Sequence, residues 1–422
     1  KYIDTSIKPN LNVIIIVLDC LRYRNMSFAG YSRKTTPFLD TFKAKFRAIS
    51  AAPHTFPSIS SLLTGLYPHN HGAYIYGKVK NFDVFENFRG IKKSVLTLPE
   101  ILLNFGYDIY FFTSIDVARY PLKGRLIPKI FPHDTPAEKL LNDALRGILK
   151  NKMHKPFLAY VHLGDLHEPV KPPKAFKDYF GRVKPLPRVN EWAFRRPNEQ
   201  SGDRFEEYKY NRILLYDNTI RYVDYAIEQF YSKIEEKGLL DSTLLIITAD
   251  HGEEFWEHAK LEAKNFYDPR GYYGVGHGHN VFNEIIEVPI LISGLDIPKF
   301  FKKEELISSV DIVPTILSIL GVSHNLMLDG HNLFKDIKRR YILSEAAGYG
   351  YEKKALFLGE YKLIYSKNDN VKWLFNLKND PSEQYPIVDD KVTAIFVKKL
   401  EEILRNDLIR RKLRAVLTYK RK

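Results

Sequence analysis

Four short apolar runs constrain what this chain can fold into. Leu11–Asp19 (LNVIIIVLD) is a continuous β-branched stretch that ends in a carboxylate. Leu244–Asp250 (LLIITAD), Phe157–Leu163 (FLAYVHL) and Val288–Ser293 (VPILIS) repeat the pattern. Runs that are apolar at every position, rather than at alternate ones, suit strands buried on both faces of a parallel sheet. Between them, Tyr216–Lys237 carries apolar residues at helical spacing with charges on the opposite face, and Ser308–Leu320 reads as another helix. Strands alternating with helices predict an α/β fold: a doubly wound, mostly parallel sheet flanked by helices. A chain of 422 residues is long enough for such a domain and a smaller partner.

The pattern changes after about residue 340. Tyr341–Ala346, Lys354–Gly359, Tyr361–Ser366 and Trp373–Asn376 read as short strands separated by turn residues, and a basic amphipathic helix follows over Val392–Leu417. The expected division is a catalytic α/β domain over 1–340 and a small C-terminal antiparallel-sheet-plus-helix subdomain over 341–422, packed on it. Lys171–Asn211 is rich in Pro, Arg and aromatics without periodicity, and reads as a lid or surface insertion. The longest fully apolar run, Val13–Leu18, is far shorter than a membrane span, and no signal-peptide segment is visible. A single cysteine excludes an intrachain disulfide framework or a multi-cysteine metal site. It fits a soluble protein in a reducing, cytoplasmic setting, with a removed leader left open because the chain starts at Lys1.

Three elements carry chemistry. Asp19 ends a buried strand, where ligands collect in open α/β sheets, although a lone strand-end Asp more often caps a turn. Asp250-His251-Gly252 ends a second strand and offers a carboxylate beside an imidazole, half of a metal site. His54-Thr55-Phe56-Pro57-Ser58 leads into the helical stretch Ile59–Thr64 and then Gly65, with Pro and Gly at the usual helix ends. Thr55 then falls just before a helix N-terminus, as a cap or as an alcohol nucleophile beside an anion site.

Taken together, these elements resemble the sulfatase family of the alkaline phosphatase superfamily. The resemblance rests on Asp19-Cys-Leu-Arg22 with Tyr31…Thr35-Thr-Pro-Phe-Leu-Asp40, and on Thr55-Phe-Pro-Ser58 followed by Leu62-Leu-Thr-Gly-Leu-Tyr-Pro-His-Asn-His-Gly72. It continues through His162-Leu-Gly-Asp-Leu-His167, Thr248-Ala-Asp-His-Gly-Glu-Glu254, Gly276-His-Gly-His279 and Val310-Asp-Ile-Val-Pro-Thr315, and reaches Leu374–Glu383, in collinear order over about residues 10–385. It implies one divalent metal held by Asp19, Asp250, His251 and the Thr55 oxygen. Such a nitrogen and oxygen set favours zinc or manganese and admits magnesium or calcium. It also implies that His167 and His277 contact the transferred group or the leaving oxygen, one of them as general acid. His279 competes with His277 for that role, and His69 and His71 are read as structural.

Departures from the family pattern bear on the substrate. Standard sulfatases oxidise a Cys or Ser nucleophile to formylglycine, whereas Thr55 carries a methyl on Cβ and can act only as a plain alkoxide. The Arg expected after the nucleophile motif is Ile59, the Lys expected within Gly106–Ser114 is missing, and the usual second Asp is Cys20. The leading expectation is therefore a metal-dependent hydrolase or transferase of phosphate esters, diesters or phosphonate esters, through a covalent intermediate on Thr55. The alternatives are an arylsulfatase-like sulfuric ester hydrolase using unmodified Thr55, and a non-catalytic anion- or nucleic-acid-binding protein. The expected partner is a small-molecule, glycan-linked or lipid-linked phosphate or sulfate ester.

The net charge of +14 does not point to the site. Residues 391–422 hold 11 Lys and Arg against 3 Asp and Glu, a surplus of eight, which leaves +6 for the rest. No helix-turn-helix, RRM-type or zinc-finger signature supports nucleic acid as partner. The basic terminal helix reads as a solvated face or as a docking strip for an anionic membrane surface.

Overall fold

The structure is a computed structural model. It describes all residues except 1–2, 5–8, 76–87, 127, 151–154, 295–296, 298–306, 336–340 and 420–422. An eight-stranded sheet forms the centre. In spatial order its strands are Ile307–Ser308, Ala44–Ile49, Glu287–Ser293, Thr243–Ala249, Asn12–Leu18, Phe157–Leu163, Asp108–Thr113 and Lys129–Ile130. The three central runs are buried at every position, as continuous apolar stretches require when helices cover both faces. Ala137–Leu149 and Asp203–Glu236 are among those helices.

Five of the seven strand pairings are parallel, but Glu287–Ser293 runs antiparallel to both of its neighbours. Its burial follows the expectation; its direction does not. The chain leaves the Thr243–Ala249 strand at its carboxyl end, stays there through residue 286 and re-enters the sheet from that same end. No crossover intervenes, so the strand must point the other way.

Register explains why two distant carboxylates meet. Leu18 lies opposite Leu163 on one side and Ala249 on the other. The next residues, Asp19 and Asp250, therefore emerge side by side at the carboxyl edge of the sheet.

The helix expected over Tyr216–Lys237 begins earlier, at Asp203, and spans 34 residues. The stretch expected as a lid over Lys171–Asn211 is thus helical at its end, and the rest is a packed surface segment. Trp192 is buried against Phe255, Trp256 and the Arg212 guanidinium, and Phe194 packs on Phe205 and Tyr208. Glu257–Gly274 holds the short helix Ala259–Asn265.

After residue 340, strands Ile342–Ser344, Lys354–Leu358, Tyr361–Ser366 and Val371–Asn376 form an antiparallel sheet, followed by a helix over Asp390–Tyr419. Successive residues on a strand face opposite ways. Ile342, Phe357, Ile364 and Phe375 join Ile49, Phe282 and Ile285 of the body in one core, while Leu343, Leu356, Leu363 and Leu374 join Tyr67, Val310 and helix residues Leu400 and Ile403 in another. The small sheet is therefore sandwiched between the α/β body and the terminal helix. Among the described residues no helix is long and apolar enough to cross a membrane.

Candidate active site

Thr55 is the first residue of the Thr55–Thr64 helix rather than its cap, which is His54. Its hydroxyl does not cap the helix: Oγ1 lies 3.1 Å from His251 Nε2. The Ser50 and Ser58 hydroxyls each donate to the Asp250 carbonyl at 2.5 Å, which ties the helix N-terminus to the Asp250 strand end. By helix geometry the N–H groups of the first turn lack intrahelical acceptors and face the same point.

His251 is fully oriented by its neighbours. Its Nδ1 lies 2.8 Å from the Gly252 carbonyl and donates to it. Nε2 then faces Thr55 Oγ1, Asp19 Oδ1 at 3.2 Å and Asp250 Oδ2 at 3.4 Å. Gly252 is required here, because a Cβ would stand 2.1 Å from the Glu284 carbonyl oxygen. All four residues Asp19, Thr55, Asp250 and His251 are buried.

The electrostatics are those of a site built for a cation. Burial drives the Asp250 carboxyl up, and the charge of Asp19 drives it further, to about 7, against the pull of His251. Burial also opposes charge on Asp19, but His251, His167 and His162 hold it well below the usual carboxylate range. Burial works against a charged His251, yet Asp250 and Asp19 raise it to about 10. Asp19 Oδ2 and Asp250 Oδ2 are buried without a hydrogen-bond partner. Two orphaned carboxylate oxygens beside an oriented imidazole nitrogen fit a divalent metal, since an unpaired buried carboxylate is otherwise costly.

The structure also separates the two histidine candidates. His277 lines a cavity of ≈ 250 Å³ next to Thr55, together with His133 and His167. Its ring centroid is 4.2 Å from that of His251, and its Nδ1 is 2.9 Å from Glu253 Oε1. Burial, with His251 and His167 adding to it, holds His277 well below the ordinary imidazole value. His279 instead sits in a buried ion cluster, 3.0 Å from Glu254 and 3.2 Å from Glu262. His167 donates from Nδ1 to the Glu168 carbonyl at 2.7 Å, which leaves Nε2 for the site. Burial opposes its charge, but Glu168, Asp19 and Glu253 raise it to about 9. His69 pairs with Glu345 and Asp407, and His71 lies 3.0 Å from the Ser61 hydroxyl, so both hold structure rather than the site.

Sequence reasoning assigned no site role to four residues that the fold brings here. His162 lies within a strand, 3.6 Å from Asp250 Oδ2, with both ring nitrogens buried and unpartnered. A histidine inside a continuous apolar strand was the available signal. Glu253 orients His277, and its only sequence mark is its place after Asp-His-Gly. His133 stands 3.2 Å from His167 Nδ1. Cys20 directs Sγ toward Asp19 and His277, at 3.2 and 3.6 Å. Apart from Asp116, the far wall of the cavity is apolar, formed by Phe56, Phe88, Ile115, Val117, Tyr120 and Tyr349. Among the described residues no Lys or Arg lines it, and none of the lining comes from 171–211.

Comparison with known proteins places this geometry. Arylsulfatase K of Bos taurus is 23% identical over an alignment covering 93% of this chain and 81% of that protein. Phosphoethanolamine transferase EptA of Helicobacter pylori is 27% identical over 58% of this chain and 43% of that protein. The structure of BT4656 in complex with its substrate, D-glucosamine-2-N,6-O-disulfate, superposes with a TM-score of 0.72 at 17% identity, covering 95% of this chain and 97% of that one. The phosphonate monoester hydrolase of Agrobacterium radiobacter gives a TM-score of 0.67 at 16% identity, covering 94% and 96%. The Sulfatase family pattern matches residues 11–322. With that match over most of its length, the chain is a member of the sulfatase family, ester hydrolases of the alkaline phosphatase-like superfamily.

Proposed function

We propose that this sulfatase-family enzyme is a metal-dependent hydrolase or transferase of phosphate esters, diesters or phosphonate esters, with Thr55 as its nucleophile. One observation carries the reading: an unmodifiable threonine hydroxyl stands 3.1 Å from His251 Nε2, at a helix N-terminus and beside two orphaned carboxylate oxygens. Enzymes of this family bind a divalent metal, and Asp19, Asp250, His251 and the Thr55 oxygen are the residues that would hold it. When bound, the metal would lower the hydroxyl pKa and neutralise charge on the transferred group.

The chain's own groups supply the rest. Thr55 Oγ1 passes its proton to the neutral ring of His277, attacks phosphorus and breaks its bond to the ester oxygen, while the first-turn N–H groups stabilise the charge on the equatorial oxygens. His167, held charged by its carboxylate neighbours, gives its Nε2 proton to the departing ester oxygen. Glu253 fixes the ring of His277, which is neutral before it accepts the Thr55 proton. Water, or an acceptor alcohol, then displaces Thr55 from phosphorus and restores the hydroxyl. The apolar cavity wall suits an aromatic or aliphatic leaving group, whether on a small molecule, a glycan or a lipid.

A second reading, sulfuric ester hydrolysis by unmodified Thr55, is favoured by one relative that is an arylsulfatase and one neighbour bound to a sulfated sugar. A metal-reconstituted panel of aryl sulfate, aryl phosphate, bis-aryl phosphate and aryl phosphonate esters separates the two. Diester or phosphonate turnover should exceed sulfate turnover, and Thr55→Ala should abolish both. Faster sulfate turnover would overturn the substrate assignment, and activity surviving in Thr55→Ala would overturn the nucleophile. A phospho adduct on the Thr55 peptide, read by mass spectrometry, supports it directly.

A further inference from the structure

Cys20 is turned toward the metal-fitting residues at a conformational cost. Successive side chains of an extended strand face opposite ways, so Cys20 should point away from Asp19. Instead it adopts φ +61°, a left-handed conformation that costs a non-glycine residue roughly 1–2 kcal/mol. The turn is pinned: the Tyr216 hydroxyl donates to the Cys20 carbonyl at 2.5 Å and accepts from the Arg22 N–H at 3.0 Å. Sγ is thereby carried to the side of the sheet edge where Asp19 lies.

Two sets of ligand atoms converge on it. Those of Asp19, Cys20 and His167 lie within 4.8 Å of one another, and so do those of Cys20, His251 and His277. Ligands on one tetrahedral zinc, given its bond lengths to sulfur, nitrogen and oxygen, are about 3.5 Å apart. The separations of 3.2 Å from Sγ to Asp19 Oδ1 and 3.2 Å from that oxygen to His251 Nε2 match this spacing. An independent observation points the same way: Asp19 Oδ2, on a fully buried side chain, has no partner of its own.

We propose that Cys20 is a thiolate ligand of the metal centre, joining Asp19 and His251 and biasing it toward zinc-class ions over magnesium and calcium. The inference rests on the metal-dependent reading above and adds its sulfur donor. Ligation exchanges the thiol proton for the metal and releases that proton to solvent, with no change of oxidation state.

Cys20 is the only cysteine in the chain, so any sulfur-to-metal charge-transfer band can come only from it. Metal-free protein titrated with Co²⁺ should develop that near-ultraviolet band together with the visible cobalt bands. Zn²⁺ should displace both and Mg²⁺ or Ca²⁺ neither. Cys20→Ser should lose the charge-transfer band, and its Zn²⁺ affinity should fall by more than the roughly 10–100-fold typical of outer-shell partners. The wild-type spectrum decides the matter even if the variant folds poorly. Visible cobalt bands without charge transfer would overturn the thiolate and leave the Asp19, Asp250 and His251 site standing. A chain that binds neither Co²⁺ nor Zn²⁺ would overturn both.

Discussion

Lys362→Met tests how the small C-terminal sheet is fastened to the site-bearing body. Lys362 and Glu383 form an ion pair with both side chains fully buried. Lys362 Nζ also donates to Asn283 Oδ1 at 2.7 Å, and Glu383 Oε2 accepts from the Asn283 N–H at 2.7 Å. Asn283 opens the short helix just before the Glu287–Ser293 strand, so this triad spans the two parts of the chain. Methionine replaces the aliphatic stem of lysine with little loss of packing. What disappears is the charge opposite Glu383 and the donor to Asn283 Oδ1, while one backbone hydrogen bond to Glu383 remains. Breaking a buried pair from one side costs about 3–5 kcal/mol. Removing both charges with Lys362→Met and Glu383→Gln should bring the loss to within about 1–2 kcal/mol of wild type, because no uncompensated ion is left.

Urea unfolding at constant m-value reads both figures. The pH dependence gives a second check. Burial already raises the Glu383 carboxyl above its ordinary value, against the opposing pull of Lys362. Without Lys362 it rises further, so the folded state binds a proton that the unfolded state releases. The deficit of Lys362→Met should then be smallest in acid and grow as pH rises from the ordinary carboxylate range through the raised value. A single variant that costs less than about 1 kcal/mol at neutral pH, with no pH dependence, would refute the reasoning. Two separate unfolding transitions in wild type would refute the fastening itself.

The remaining predictions concern charge. Burial opposes a protonated His69, but Glu345 and Asp407 raise it to about 9, so its contribution is complete below the unfolded value of about 6.5 and is lost as pH rises through about 9. Wild-type stability should decline across that window, and His69→Gln should be flatter in a thermal-melt series. His167→Asn should slow esters with poor leaving groups by about 10²–10⁴-fold and nitrophenyl esters far less, as a lost general acid requires; equal losses on both would remove that role. Inorganic phosphate should inhibit and stabilise the metal-loaded protein and leave the metal-free protein's melting temperature unchanged. On the terminal helix, Lys391, Lys398, Arg405 and Lys412 recur every seven residues on an exposed face beside exposed Ile395, Leu408 and Ile409. If this strip docks on anionic lipid, cosedimentation with phosphatidylglycerol vesicles should fall with added salt and vanish when all four become Gln.

Legibility in the sequence followed physical locality. Continuous β-branched runs announce buried strands, and Asp19 and Asp250 could be read as strand ends before any register was known. The direction of Glu287–Ser293 could not, because a strand covered on both faces has the same composition whichever way it runs. Pro57 and Gly65 bracket the helix, yet only the fold shows that Thr55 sits inside its first turn with its hydroxyl turned to His251. His277 and His279 are two residues apart and alike in sequence. What separates them is that Glu254 and Glu262 claim His279, whereas His277 faces the cavity. Helix Asp203–Glu236 starts a full 13 residues before the recognised pattern, its first turns being largely charged on their outer face. Cys20 was legible only as the replacement of the usual second Asp; that its thiol turns toward Asp19, against strand alternation, shows only in the fold.

The charge distribution ties these observations to mechanism. The chain is strongly basic, but more than half of its excess positive charge lies in residues 391–422, and among the described residues no Lys or Arg lines the cavity beside Thr55. A buried guanidinium does lie nearby, but Arg212 packs at 4.3 Å on the Trp192 ring, and its charge acts on Glu253 rather than lining the cavity. Around Thr55 the carboxylates of Asp19 and Asp250, with Glu253 behind them, are set against the imidazoles of His251 and His167. That balance leaves an anionic ester little attraction beyond one helix N-terminus, worth about 0.3–2 kcal/mol. A divalent cation held by Asp19 and Asp250 would supply the missing positive charge and satisfy their orphaned oxygens. On the proposed reading such a site would gain its affinity for the anion only with the metal, which would make substrate binding and nucleophile activation a single metal-dependent event. With Cys20 as a ligand, as proposed above, its thiolate would bias which metal that event depends on.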